Sequence, residues 1–299
     1  MKLKKAFSLI ELSIVILIVG VLVAAVGQGI DLLQDARLQA ARVKTQGSRV
    51  NGIKDLVLWL DATAENSFAE GEAVDNGRIQ FWNDSNPQRE KNNFNQSTNG
   101  QRPRYFENVI NNLPAITFNG TDENMASTTF PTITSGEFTI FAVIRTGTAL
   151  APANTYDAII SKRSATTTAN VNLELSQGQD GSGNKGFLAQ RTQRIDLSTI
   201  AINTNYAISL TVSPPASKAF VNGKGIYNLT TGGPSINTSL LSTDLLYIGR
   251  QGLTAAPTYF DGSIGELIIY DRSLSMKERQ SIEDYLGKKW GIGMTVESY

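Results

Sequence analysis

The 299-residue chain balances 27 Lys and Arg against 27 Asp and Glu, so nothing in its charge asks for nucleic acid or an acidic surface as partner. It has neither Cys nor His, which excludes disulfides, thiolate nucleophiles, Ser-His-Asp and Cys-His catalysis, and imidazole metal sites. No cofactor is expected, and a metal would have to be a hard, oxygen-ligated cation such as calcium. The length leaves room for a helix plus one large or two small domains.

The chain opens with Lys2, Lys4 and Lys5, followed from Phe7 to Val26 by an apolar run with one charge, Glu11. Twenty helical residues span about 30 Å, the thickness of a bilayer's hydrocarbon core. The lysines before the run, and Asp31 and Asp35 after it, favour an N-terminus left in the cytoplasm and a body sent outward. A carboxylate among such residues costs roughly 2.5–3.5 kcal/mol at a membrane helix centre, so Glu11 needs a partner. An ordinary secretory signal fits less well, because its apolar core is shorter and ends in an A-x-A-like site. Here the run continues past Ala24 and Ala25 into helical sequence. A simple membrane anchor is the other alternative.

A short basic leader, then F-S-L-I-E and an uninterrupted apolar helix, resembles the class III signal of type IV prepilins and pseudopilins. The resemblance covers about residues 4–50. It implies that a prepilin peptidase cuts between Ala6 and Phe7 and methylates the new Phe7 amine. Ala6 stands where the family nearly always has Gly, and Ser8 where it has Thr. Glu11 would be the fifth mature residue and would pair with the free amine of a neighbouring subunit, neutralising two costly charges as a filament grows.

Residues 1–6 are thus a leader, and residues 7–52 a long N-terminal helix with 7–26 transmembrane. Gly20, Gly27 and Gly29 are its weak points. Beyond them Ile30, Leu33, Ala36, Ala40, Val43, Gly47 and Val50 recur at steps of three or four and line one face. That stripe suits packing on the chain's own domain and packing in a filament core alike. A C-cap signal at Asn51-Gly52 ends the helix.

From Leu56 to Tyr270 the pattern is all-β. Strands are expected at 56–60, 115–118, 138–144, 158–161, 171–175, 186–189, 206–212, 218–221, 245–248 and 264–270, with Asn, Gly, Thr, Ser and Asp between them. Residues 138–144 become apolar on both sides, as in a central strand. Asn222-Gly223 between two strand-like runs predicts a type I′ hairpin. Ser275 and Glu278 form a capping box that opens a helix to about Gly287. Residues 293–299 read as a loose tail.

The segments V-L-W-L-D-A (57–62), F-W-N-D (81–84), F-N-G-T-D-E-N-M (118–125), F-V-N-G-K (220–224), Y-I-G-R (247–250) and 262–292 resemble, in order and spacing, a bacterial laminin G-like domain of concanavalin A type. The resemblance implies a jelly-roll β-sandwich over residues 55–292, with its first and last strands adjacent, so that the helix exit comes near the C-terminal helix. The fold class is therefore mainly β, with a long N-terminal transmembrane helix and a short C-terminal helix. Lectins, spacers and glycosidases share that fold, so the fold alone decides no activity. The β-glucanases of this type carry E-x-D-x-x-E on one strand face, and no such run exists here. Glu174 stands alone, Glu266 is flanked by apolar residues, and Glu278, Glu283 and Asp284 read as a solvated helix face. The chain is not expected to be an enzyme.

Calcium stays open: Asp122, Glu123, Asn124 and Asp261 lie on polar loops, although turns are built from the same residues. Trp59 and Trp290 belong to the framework, and Trp82 reads as core. Tyr156 and Tyr259 are the better surface candidates for stacking on a sugar.

The resulting expectation is a structural subunit, minor or specialised, of a type IV pilus-like filament with a lectin-like head for cell adhesion. It would start as an inner-membrane precursor and end in an extracellular filament. Its partners would be other pilin subunits, the peptidase, the inner membrane, and glycans or a cell surface, with no nucleic acid. Two alternatives stay open: a pseudopilin of a type II secretion system in a periplasmic filament, and a membrane-anchored carbohydrate-binding protein that never polymerises.

Overall fold

A computed structural model describes residues 9–87, 91–150, 155–164, 171–179, 185–189, 193–195, 200–213, 217–229, 244–252 and 257–295. It divides into two units, Met1–Ala40 and Ala41–Tyr299.

The first unit is helical. Helix α1 (Leu9–Gln46) runs unbroken through Gly20, Gly27 and Gly29. The apolar side chains of its first turns, from Leu9 to Val23, are exposed by half or more of their surface. Ser13 Oγ bonds back to the carbonyls of Leu9 and Ile10, so even this hydroxyl is satisfied within the helix. Among the described residues no helix is long and apolar enough to cross a membrane. The span expected over 7–26 begins at Phe7 and Ser8, which lie outside the described residues.

The second unit begins with the last turns of α1. Ala41 is buried, Arg42 Nε donates to Thr63 O at 2.9 Å, and Thr45 Oγ1 lies 3.1 Å from Asp61 Oδ2. The helix stops at Gln46 rather than at Asn51-Gly52. The Gly47 amide closes on Val43 O, and Ser48 N tightens onto Thr45 O. A 3-10 turn over Val50–Gly52 then carries Val50 inward to full burial, where its carbonyl accepts Tyr270 OH at 2.8 Å. The face turned to the head is Ala41 and Thr45. Val43, on the expected stripe, is 66% exposed.

Among the described residues seventeen strands follow: β1 (Leu56–Asp61), β2 (Gly77–Arg78), β3 (Phe81–Trp82), β4 (Phe94–Asn95), β5 (Arg104–Ile110), β6 (Leu113–Asn119), β7 (Met125–Ser127), β8 (Phe138–Thr146), β9 (Thr155–Arg163), β10 (Val171–Gln179), β11 (Lys185–Ala189), β12 (Gln193–Ile195), β13 (Asn205–Val212), β14 (Ser217–Val221), β15 (Lys224–Leu229), β16 (Leu246–Ile248) and β17 (Asp261–Tyr270). The chain then forms helix α2 (Met276–Trp290).

Among the described residues one sheet has nine strands in the order β15-β14-β13-β8-β17-β6-β5-β2, with β1 also on β17; the other has eight, β12-β11-β10-β9-β16-β7-β4-β3. The sheets enclose a core that includes Leu58, Leu60, Phe118, Ile140, Ile144, Leu173, Leu175 and Phe187. Strand alternation sends Trp59, Phe141, Val143 and Ile268 to the other face of the nine-stranded sheet, where Ile282, Leu286 and Trp290 of α2 cover them. That is why β8 is apolar on both sides. It sits between β13 and β17, walled by a core on each face.

First and last strands do pair, Leu58 with Ile269 and Leu60 with Leu267. At the β14–β15 turn Asn222 and Gly223 have φ of 51° and 75°, as a type I′ hairpin requires. The capping box at Ser275 and Glu278 is formed, with Glu278 also gripping Arg272 at 2.6 Å. Helix α2 continues past Gly287 to Trp290 and ends on Gly291, φ 63°. Gly287 stays inside the helix because its bare face receives Met294, whose Cγ would be 2.5 Å from any added Cβ. The tail is held as far as Thr295, whose amide donates to Asn222 O at 2.8 Å.

Candidate functional site

Glu11 lies in the first turn of α1 and is exposed. Ala6 and Phe7, the two residues of the expected cut, lie outside the described residues.

In the head, the two tyrosines chosen as surface candidates come from distant segments that the fold joins. Thr258 Oγ1 donates to Tyr156 O at 2.6 Å, and Gln251 Nε2 reaches the same carbonyl at 3.4 Å. Both tyrosines are half-buried. The Arg250 guanidinium lies 5.8 Å from the Tyr259 ring centroid and 4.7 Å from that of Tyr247. The sequence offers Tyr247 and Arg250 only as part of the Y-I-G-R segment; the place of Arg250 beside Tyr259 comes from the Arg250–Tyr259 bridge.

The carboxylates that could serve acid–base chemistry are engaged by neighbouring side chains. Glu174 is fully buried, 3.4 Å from Arg163 Nη1, and accepts Ser161 Oγ at 2.9 Å. With its carboxylate engaged by Arg163 and Ser161, Glu174 is held in structure rather than set as one of a facing carboxyl pair. Glu283 is not on a solvated face: it is buried and paired with Arg279 at 2.5 Å, and it also accepts Ser209 Oγ. Arg279 in turn lies 3.5 Å from the Phe220 ring centroid. Of the three helix acids, Asp284 alone fits that expectation, in an exposed pair with Lys288.

The loop acids build turns. Asp122 Oδ1 accepts Asn119 Nδ2 at 2.8 Å, and Asn124 Nδ2 donates to Asp122 O. Glu123 faces Arg78 at 3.5 Å. Asp261 Oδ2 accepts the Ala149 amide at 3.0 Å and pins the loop after β8. Beside it lies Asp157, pushed up to about 7 by burial and then by the Asp261 charge. Among the described residues no group of three or more His, Cys, Asp or Glu side chains is placed to hold a metal ion.

The outer face of the nine-stranded sheet carries a polar stripe in register. Thr117, Ser263, Arg145 and Asn205 are consecutive cross-strand neighbours on β6, β17, β8 and β13. Thr117 and Ser263 hydroxyls are 2.8 Å apart, and Arg145 Nη1 donates to Asn205 Oδ1 at 3.1 Å. They floor a hollow of about 560 Å³.

Under α2 lies a second group that sequence reasoning missed. Glu266 Oε1 accepts Trp59 Nε1 at 2.7 Å and Tyr285 OH at 2.8 Å; Oε2 accepts Lys289 Nζ and Trp290 Nε1, each at 2.8 Å. Lys289 Nζ is also 2.7 Å from Asp61 Oδ2. Burial raises the Glu266 pKa, with Lys289 opposing. The signal available was the lone acid in the apolar run of β17.

Residues 1–27 match the family model of the prokaryotic N-terminal methylation motif. Residues 118–278, more than half of the chain, match a laminin G-type model of the concanavalin A-like lectin/glucanases superfamily. No curated protein matches the chain. Among solved structures, Trypanosoma rangeli sialidase is similar at 16% identity and TM-score 0.51, over 86% of this chain and 39% of the sialidase. Domain 4 of AbnA, a GH43 extracellular arabinanase from Geobacillus stearothermophilus, in complex with arabinotriose, is similar at 14% identity and TM-score 0.50, over 77% of this chain and 98% of that domain. The chain spans well under half the length of the sialidases it matches. At these identities the likeness speaks for the fold.

Proposed function

We propose, on the premise that this chain belongs to the concanavalin A-like lectin/glucanases superfamily, that it is a subunit of a type IV pilus-like filament displaying a lectin-like head for adhesion. The observation that carries this reading is the union in one chain of a methylation motif at residues 1–27 with a superfamily domain. Each half supports the other: the motif favours assembly among the fates open to an apolar helix, and the sandwich favours binding among the roles open to a pilin head.

The leader lysines hold the precursor at the inner membrane, with the apolar run inserted in the bilayer. The peptidase cuts between Ala6 and Phe7 and methylates the Phe7 amine. That amine meets Glu11 of a neighbouring subunit, so two charges enter the apolar filament core as a neutral pair. The head extends over residues 55–292 and faces outward. Its glycan contact is at the Tyr156–Tyr259 corner, where Arg250 adds hydrogen-bond donors beside an aromatic ring. The pairing of Glu174 with Arg163 supports binding without hydrolysis.

Mass spectrometry of the N-terminus from native membranes tests the reading. The expected chain begins at N-methylated Phe7; one that still begins at Met1 leaves Glu11 without its amine and removes the filament. Glu11→Ala should leave the chain in the membrane and absent from sheared filaments.

A further inference from the structure

The Asp61–Glu266–Lys289 group has an arrangement that an ion pair does not need. All three side chains are fully buried. Two carboxylates share one ammonium, enclosed by Trp59, Tyr285 and Trp290, with the Lys289 nitrogen 5.1 Å from the Trp290 ring centroid and 5.6 Å from that of Tyr285. The two oxygens of Asp61 are treated differently. Oδ1 takes two donors from one residue, the Thr63 amide at 2.9 Å and Thr63 Oγ1 at 2.7 Å. Oδ2 faces Lys289 Nζ at 2.7 Å and Thr45 Oγ1 at 3.1 Å. A paired donor set on one oxygen, with a nitrogen at the other, is the geometry of acyl transfer: one oxygen is stabilised as an oxyanion while the other leaves.

We propose that Lys289 and Asp61 condense to an intramolecular isopeptide bond, with Glu266 as the proton carrier. The first step is transfer of one proton from the Lys289 ammonium to Asp61 Oδ2, 2.7 Å away, which gives the amine and the acid that can react. The Nζ lone pair attacks Asp61 Cγ, and negative charge develops on Oδ1 against the two Thr63 donors. Glu266 Oε2, 2.8 Å from Nζ, takes a proton from the nitrogen and returns it to Oδ2. The Cγ–Oδ2 bond breaks and one water leaves. An ammonium and a carboxylate have become an amide and a water, with no oxidant, reductant or co-reactant. Glu266 ends ionised, still accepting from Trp59, Tyr285 and Trp290. Burial, which raises its pKa, suits it to a proton it must both accept and release.

The bond would join the end of β1 to the last turn of α2. Tension entering the head at Thr45, beside Asp61, would then have a covalent path to its last helix.

The test is a tryptic digest of the full-length protein, purified folded in detergent, read by tandem mass spectrometry. The expected species is the Asp61 peptide joined to the Lys289 peptide, lighter than their sum by one water, about 18 Da, with no cleavage after Lys289. Glu266→Gln should give the two peptides separately, although the Asp61–Lys289 pair is still present; an ion pair alone alters no mass. Separate peptides and cleavage after Lys289 in the wild-type protein overturn the proposal, and that result does not depend on any variant folding. A bond that persists in Glu266→Gln overturns the role given to Glu266.

Discussion

Gly265→Ala should damage the junction between β17 and α2 more than any loop substitution. Gly265 lies where the β17–β8 register slips between Ile264 and Glu266, and its carbonyl accepts the Ala62 amide at 2.9 Å. An added Cβ would lie 2.6, 2.8 and 3.0 Å from three carbons of the Trp290 ring. Ordinary carbon contacts are about 3.5–4.0 Å, so the ring must retreat by about 1 Å. Trp290 is fully buried, and its Nε1 sits 2.8 Å from Glu266 Oε2. A retreat of that size takes the bond beyond hydrogen-bonding range. Overpacking costs about 1–3 kcal/mol and a lost bond to a charged acceptor about 1.5–3 kcal/mol, so about 3–6 kcal/mol is expected. That is a large share of a typical domain stability of about 5–15 kcal/mol. Urea unfolding should show a lower midpoint with unchanged slope. Trp290→Leu removes the obstructing ring, so the double variant should be less destabilised than the sum of the singles. A loss below about 1 kcal/mol, or a cycle additive within about 0.5 kcal/mol, would refute the steric argument.

Asp157 titrates at about 7 in the folded head against an ordinary 3.8, so its stabilising effect is complete below about pH 4 and lost as pH rises through about 7. Asp157→Asn should therefore be more stable than wild type at about pH 8, by at most about 4 kcal/mol, with the gain gone near pH 4. Equal urea midpoints at the alkaline pH would sink this reading. Arg279→Met strands Glu283 under α2 and should cost about 3–5 kcal/mol at neutral pH. Burial already raises the Glu283 pKa, so acidification protonates it and should narrow the deficit; a pH-independent deficit in thermal melts would count against the pairing. Ser275→Ala should cost about 1 kcal/mol by freeing the Glu278 amide, measured by the same unfolding, and no change would mean that α2 is held by its packing alone.

The architecture was readable where one local rule governs each element. Every expected strand exists, because apolar runs bounded by Asn, Gly and Asp leave few options in a protein with this much turn signal. The hairpin at Asn222 and the cap at Ser275 were legible because their chemistry is complete within four residues. The short pairs Gly77–Arg78, Phe81–Trp82 and Phe94–Asn95 were not, since strands of two residues have no period and exist only through their partners. Helix boundaries failed for a related reason. Burial of Val50 against distant Tyr270 ends α1 early, and contact with Met294, beyond the helix end, keeps Gly287 helical.

Glu11 and Glu266 are each a single carboxylate within an apolar run. A lone carboxylate in an apolar run must have a partner, because its desolvation is otherwise uncompensated. At Glu11 the partner proposed above is the amine of another subunit, suggested by the motif around it. At Glu266 the run I-G-E-L-I-I-Y makes the same demand, and the answer lies elsewhere in the chain: Trp59, Tyr285, Lys289 and Trp290 all reach it. Lys289 had no reason to stand out, as the second of two adjacent lysines on a polar helix. Only the pairing of β1 with β17 beneath α2 turns it from a surface cation into a buried one. An unexplained charge in a strand is therefore as strong a pointer to chemistry as one in a membrane segment. What the sequence withholds is the identity of the group that answers it.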